Sequence, residues 1–434
     1  LAFAVAAWRQ AGWSAPPGEP DAVSPMQALG LGMIDSAEGA VTLALGLIGV
    51  MGLFLGLMKV AEAGGLLRVI AKLLRPVMVR LFPDVPADHP AMGAIIMNMS
   101  ANALGLGNAA TPFGIRAMQE LDRLNPHRGT ATDAMALFLA INTSSITLLP
   151  TGVIALRASA GSADPAGIVP TTLVATICST IVAITSAKLL QRRFARPPSD
   201  VVPAAAPGEP AEPGAAAPEA PLEAPLPEAT DEAYPGWVSA LVLLGLLALV
   251  PLTLAHGRAI APWIVPGLMV ALLGFGALRG VRVYEAFVEG ARDGFNVAVR
   301  IIPYLVAILV AVGMFRASGA MELLITPAGA LTGAVGLPAE ALPMALLRPL
   351  SGSGAYGILA SIIQDPAVGP DSYTGYLVST IQGSTETTFY VLAVYFGAVN
   401  VRRLRHALPS ALLADLAGVA GAVAVCLAVY GAAA

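Results

Sequence analysis

Six apolar runs of similar length constrain this 434-residue sequence more than any other feature: 40–58, 171–190, 237–256, 260–278, 294–314 and 408–430. About 20 apolar residues form a helix long enough to cross ~30 Å of hydrocarbon. Only 12% of the residues are charged and the mean hydropathy is +0.74, whereas a soluble domain carries about 25% charge. The chain has too few charges to cover a soluble surface and reads as an all-α polytopic membrane protein. Disorder of the whole chain is excluded by the same composition, because disordered chains are poor in apolar residues.

Four further apolar stretches are interrupted. Residues 89–112 contain IIMNMSANALGLGNAATP, and 337–364 contain LLRPLSGSGAYGILASII. The centre of 131–157 reads INTSSITLLP, and 373–398 contain IQGSTETTFYVLAVYFGA. Non-helical backbone survives at membrane depth only where protein or water satisfies its polar groups. The first two are therefore expected to be re-entrant hairpins and the other two broken helices. Residues 64–82 place Arg68, Lys72, Arg75 and Arg80 at helical spacing against apolar residues, the pattern of an amphipathic interfacial helix. A second short apolar or amphipathic piece is expected at 318–336. Gly52 and Gly56 form a G-x-x-x-G that suits close helix packing.

The chain divides at 197–234. This segment is Pro, Ala and Glu, with Asp200, Glu209, Glu212, Glu219, Glu223, Glu228, Asp231 and Glu232 and no Lys or Arg. It cannot bury a core and reads as a disordered linker. The expected units are 1–38 (the end of a truncated span at 1–8, then a polar segment), 39–196, the linker, and 235–434 with an extra helical hairpin at 237–278. The second and fourth units share an order: a span, an amphipathic piece, a broken hairpin, a broken polar-centred span and a plain span. Ile141-Asn142-Thr143-Ser144-Ser145-Ile146-Thr147 and Ile381-Gln382-Gly383-Ser384-Thr385-Glu386-Thr387 lie 240 positions apart and share Ile, Ser and Thr at their first, fourth and seventh places.

Basic runs at 59–80, 188–196, 279–292 and 402–405 place the ends of these spans on the cytoplasmic side of a bacterial inner membrane by the positive-inside rule. Equivalent spans of the two units then point in opposite directions. Two inverted-topology repeats with discontinuous helices meeting near the midplane are the build of many secondary transporters.

The candidate site residues are polar groups expected at that depth. Amides and hydroxyls come from Asn98, Ser100, Asn102 and Asn108, and from Asn142, Thr143, Ser144, Ser145 and Thr147. Arg348, Ser351, Ser353, Gln382, Ser384, Thr385, Glu386 and Thr387 complete the set. An intramembrane carboxylate such as Glu386 is costly and has a partner or a task, and Arg348 is its natural counter-ion. Gly352–Gly357 matches G-x-G-x-x-G but interrupts a membrane segment, so it reads as the start of a half-helix and not as a dinucleotide fold. Cys178 and Cys426 stand alone and His89, His127, His256 and His406 are scattered, which points away from disulfide or zinc chemistry. No cofactor or nucleic-acid motif is visible, and no nucleophile or paired-carboxylate set marks an enzyme.

The segments FGIRAMQEL, MNMSANALGLGNAATPFG and FLAINTSSITLLP resemble the spore maturation protein A family. YEAFVEGARDGF, LRPLSGSGA and QGSTETTFYVLAVYFGA resemble the spore maturation protein B family. Both carry the nucleoside recognition, or Gate, domain, which is similar to part of the concentrative nucleoside transporters. The resemblance covers about 35–195 and 237–430 and implies a transporter-like fold, here with the two families fused through the linker. Three readings follow. The first is a proton- or ion-coupled (H+ or Na+) secondary transporter for a small polar or charged solute, a homo-oligomer in the bilayer. The second is a non-transporting scaffold for cell-envelope, peptidoglycan or spore maturation. The third is a membrane-embedded enzyme.

Overall fold

A computed structural model describes residues 1–15, 22–105, 107–194, 234–320, 323, 327, 329 and 332–431. The expected linker, but for Tyr234, and most of the expected piece at 318–336 lie outside these residues. Among the described residues every regular element is helical, apart from one isolated bridge between Thr130 and Arg403.

After α1 (Ala2–Ala11), α2 runs from Pro25 to Ala63. It begins well before the expected span at 40–58 because Ser24 caps it, accepting from Gln27 N at 3.4 Å, with Pro25 at the first helical position, where a missing N–H is harmless. The amphipathic helix is α3 (Leu66–Leu81), which buries Ala71 and Met78. Next come α4 (Pro90–Ala103) and α5 (Gly107–Arg123). The second of these runs past the end of the expected hairpin at 112, with Arg116 and Arg123 on the buried Glu120 at 2.9 and 2.8 Å. The first broken span is α6 (Asp133–Ser144) and α7 (Thr151–Ser159), followed by α8 (Ile168–Leu190).

In the second half, α9 (Gly236–Leu278) is helical throughout, so the expected non-helical turn between 256 and 260 is absent. A straight helix of this length would span about 65 Å. Its two ends nevertheless both reach the 60–73 region: Ser239 Oγ donates to Leu73 O at 2.7 Å, and the Phe275 ring lies against Gly64. The element therefore returns to the end of the bundle from which it started, as a hairpin would. Then follow α10 (Val283–Ser318), α11 (Leu342–Leu347), α12 (Gly352–Gln364), the second broken span α13 (Tyr373–Ser384) and α14 (Thr388–Gly397), and α15 (Ala407–Tyr430).

Helix bounds sharpen the repeat. α6 and α13 are both 12 residues long, start 240 positions apart, and begin alike: Thr132 accepts from Met135 N and Ser372 from Gly375 N. The direction of each element can be read from its end contacts. At one end of the bundle, Lys188 donates to Leu81 O, Arg405 to Phe194 O and Ala131 O, and Ala131 N to Arg403 O. At the other, Arg157 donates to Pro370 O, Tyr430 OH to Gly167 O, and Arg316 pairs with Asp365. Thus α6–α7 runs from the first end to the second and α13–α14 runs back; α8 and α15 are likewise antiparallel.

Both hairpins are re-entrant. α4–α5 enters and leaves at the first end, with its tip in the interior, where Leu148 N donates to Ala103 O at 3.1 Å. α11–α12 belongs to the second end, with its tip meeting the chain just after the second break through Phe389 N to Pro349 O at 3.0 Å.

Two apolar cores mirror one another. One gathers Met92 and Ile95 of α4, Phe138 of α6 and Phe396 of α14; the other gathers Leu156 of α7, Leu359 of α12 and Leu377 of α13. Each core takes one hairpin from its own repeat and a half-helix from the other, so the halves are interlocked. α2 and α10 complete the bundle as an antiparallel pair whose glycines allow backbone contact: a Cβ on Gly294 would sit 2.7 Å from the Cα of Gly52. The G-x-x-x-G face is the contact with α10, where Gly56 lies under Phe287. The basic residues Lys59, Lys188 and Arg405 all lie at the first end. In a background lacking Cys178 and Cys426, single cysteines at 62 and 316 should therefore react with an impermeant maleimide from opposite faces of oriented vesicles; labelling from one face would contradict the inverted repeat.

Candidate functional site

The two hairpin tips and the two helix breaks surround a cavity of about 200 Å³. Asn102 and Gly105 come from the first tip, Ser145, Thr147 and Pro150 from the first break. Arg348, Gly352 and Tyr356 come from the second tip, and Gln382, Thr385 and Glu386 from the second break. By liquid density this volume would hold roughly seven waters, which suits a solute of a few heavy atoms.

The breaks survive in the interior because polar side chains satisfy backbone carbonyls that the interrupted helices leave unpaired. Ser145 takes a left-handed φ of 42° and ends α6; its hydroxyl pairs with Thr147 Oγ1 at 2.6 Å. Thr176 of α8 donates to Ser144 O at 2.9 Å and also to Ser145 O. The second break is tied to the first, with Glu386 N donating to Thr143 O at 2.8 Å.

Arg348 is 4% exposed. It donates to Thr387 Oγ1 at 2.9 Å and to Thr385 O, and lies 3.7 Å from Glu386 Oε2. Its Nε, and Oε1 of the buried Gln382, have no partner among the described residues. The Glu386 side chain is 44% exposed, a cavity-facing group and not a fully buried one. The N-terminal residues of α7 (Thr151 and Gly152) and of α12 (Gly352) also line the cavity. Helix N-termini present N–H groups and positive potential there.

Not every expected site residue faces this space. Asn102 does, and donates to Asn142 Oδ1 at 3.0 Å; Asn142 in turn donates to Phe138 O. Asn98 is buried behind them, bonded to Ala110 O and Tyr395 OH. Ser100, Thr143, Ser144 and Ser384 donate to carbonyls of their own helices and are internally satisfied. Ser351 caps α12 through Gly354 N, and Ser353 lies half-buried in its first turn. The side chain of Asn108 is outside the described residues. The G-x-G-x-x-G opens α12, in keeping with a half-helix start.

Sequence reasoning missed Tyr356 and Tyr395, which carry their hydroxyls into the cavity and the asparagine network. It also missed Asp415 in α15. This residue is 5% exposed and accepts from Thr388 Oγ1 at 2.6 Å. An Asp inside an otherwise apolar run was the available signal.

Two curated proteins match different parts of the chain. Spore maturation protein A of Bacillus subtilis (strain 168) is 48% identical over 159 residues, which is 37% of this chain and 81% of that protein. Spore maturation protein B of the same organism is 44% identical over 169 residues, 39% of this chain and 94% of that protein. The chain belongs to the spore maturation protein A and B family, as a fusion of the two. The nucleoside recognition (Gate) family matches residues 44–160. No solved structure matches the chain.

The fusion explains the shape of the site. What exists as two proteins in the relatives contributes one hairpin tip and one break each to a single cavity. Cores that exchange half-helices do not need a covalent link. Co-expressed 1–196 and 235–434 should co-purify in detergent as a 1:1 complex; loss of the complex would show that the linker contributes to assembly.

Proposed function

We propose that this membrane protein is an ion- or proton-coupled secondary transporter for a small polar or charged solute. The observation that carries the reading is the cavity itself, built at the meeting of two re-entrant tips and two helix breaks from antiparallel repeats, and lined by Arg348, Glu386, Gln382 and Asn102. Discontinuous helices at a repeat interface are where such transporters hold their cargo. A guanidinium, a carboxylate and amides serve a solute with charged or hydrogen-bonding ends. We place the end with Lys59, Lys188 and Arg405 in the cytoplasm of a bacterial inner membrane. The protein acts without bond chemistry, cofactor or nucleic acid, as a homo-oligomer.

The names of the relatives favour a second reading, a non-transporting role in spore or envelope maturation. The cavity separates the two. Filling it with Thr147→Trp should abolish a transport phenotype while leaving expression and assembly intact; a scaffold would tolerate the change. The direct test is an untargeted metabolite comparison of cells with and without the protein, followed by uptake of the accumulated solutes into proteoliposomes. If no solute differs and Thr147→Trp complements fully, the transport reading fails.

A further inference from the structure

Behind the cavity lies a buried acid that the site as described does not use. The segment 385–388 links the two: Thr385 lines the cavity, Thr387 holds Arg348, and Thr388 donates to Asp415 Oδ2. Asp415 Oδ1 has no partner among the described residues, although the residue is 5% exposed and sits inside a helix of membrane-crossing length. A carboxylate in that position with one oxygen unsatisfied is costly when ionised.

The repeat shows what the position requires for packing. Counted from their helix starts, which lie 239 positions apart, Asp415 and Thr176 are both ninth residues, although the 240-residue offset of the two breaks pairs Asp415 with Ala175. Thr176 is an ordinary hydroxyl that donates to carbonyls freed by the first break. In the second half the equivalent carbonyl, Thr385 O, is taken by Arg348 instead. An ionised carboxylate can only accept, whereas a protonated one gains an O–H donor.

We propose that Asp415 is a proton-binding site coupled to the cavity through Arg348. Proton binding forms an O–H bond on the carboxylate and removes one negative charge behind the guanidinium. That leaves Arg348 better able to take an anionic group of a solute. By reciprocity, an anion held at Arg348 tightens the proton. Arg348 and Asp415 are held by adjacent residues of one segment, Thr387 and Thr388. The other titratable groups described on elements packed against α15 have different surroundings. Asp133 pairs with Arg405 and Lys188 with Leu81 O at the first end. Cys178 lies against Gly421, and Tyr395 bonds to Asn98. Tyr373 bonds to Gly336 O and Tyr376 stacks on Tyr430 towards the second end, while Tyr390 is exposed.

The coupling rests on the transport reading; the proton site does not. The test is an infrared pH titration of the full chain in proteoliposomes, which needs no cargo. In the difference between parent and variant spectra we expect a protonated-carboxyl C=O component that grows as the pH falls, is missing from Asp415→Asn and remains in Glu386→Gln; the other carboxyl groups of the chain cancel in that difference. In Arg348→Met its midpoint should move to higher pH, because the ionised form loses its nearby cation. Asp415→Thr, which copies the hydroxyl of Thr176, is the second variant, and should assemble without the band. A band that persists in Asp415→Asn, or the absence of any titrating band, would overturn the proton site. So would failure of both variants to assemble. An unchanged midpoint in Arg348→Met would overturn the coupling. A titrating band in a protein that moves no solute would remove the transport reading and leave the proton site standing.

Discussion

Arg157→Ala should destabilise the protein by about 3–5 kcal/mol, the range seen when one partner of a buried ion pair is removed. The Arg157 side chain is fully buried at the end of α7. It donates to Pro370 O at 2.6 Å, to Asp164 O and Ser162 Oγ at 3.2 Å and to Asp371 Oδ1 at 3.0 Å, and lies 4.3 Å over the Tyr376 ring. Truncation would leave the Pro370 carbonyl without its donor, while Asp164 O keeps Gly167 N, and would open a void and unpin the start of α13 from the loop after α7. Burial holds the Asp164 carboxyl above its ordinary range while Arg157 pulls it back, so removing the cation would raise it further. Asp371→Asn should cost far less. Asp371 is 36% exposed and can be hydrated, and Arg157 keeps its other acceptors. Thermal unfolding in detergent, followed by size-exclusion of the heated sample, measures both. An Arg157→Ala variant within about 1 kcal/mol of the parent would mean that these bonds do not hold the two repeats in register.

Much of this architecture was legible because membrane depth leaves the backbone few choices. Both breaks lie at polar centres, INTSSIT and IQGSTET, and the first is also closed by Pro150. The basic runs fixed the directions of the spans. Other features had no local signature. Arg157 follows an apolar stretch and looks like an ordinary span-ending base; its partner is 214 residues away. Asp415 was hidden by the composition of its run, although the reasoning that singled out Glu386 applied to it equally. The course of α9, out and back to the first end, was legible in its two apolar runs, although its backbone stays helical through 256–260. Residue type does not give side-chain direction. Ser100, Thr143, Ser144 and Ser384 lie in the expected segments but spend their hydroxyls on their own helices.

Direction also separates the two charges that the sequence joins as a pair. As a symmetric buried pair, Arg348 and Glu386 would each be destabilising when removed alone. The structure makes them unequal. Arg348 is 4% exposed and supplies the donor to Thr385 O at the helix break, so Arg348→Met leaves a buried carbonyl unsatisfied and should cost about 1–3 kcal/mol. The Glu386 side chain is 44% exposed and its contact with Arg348 is long, at 3.7 Å, so Glu386→Gln should change stability by less than about 1 kcal/mol. The first repeat shows that the fold does not need either charge: the residue 240 positions before Glu386 is Ile146, and the first hairpin tip, at 104–106, carries no base. The double variant Arg348→Met with Glu386→Leu should therefore still assemble, at about the same 1–3 kcal/mol cost as Arg348→Met alone, because Thr385 O loses its donor in both. Uptake in proteoliposomes should nevertheless fall to background in the double variant and in both single variants, Glu386→Gln included, since the cavity has lost the groups that hold a charged or polar solute. Full uptake by the double variant would make the pair structural and leave Asn102, Gln382, Ser145 and Thr147 to carry recognition.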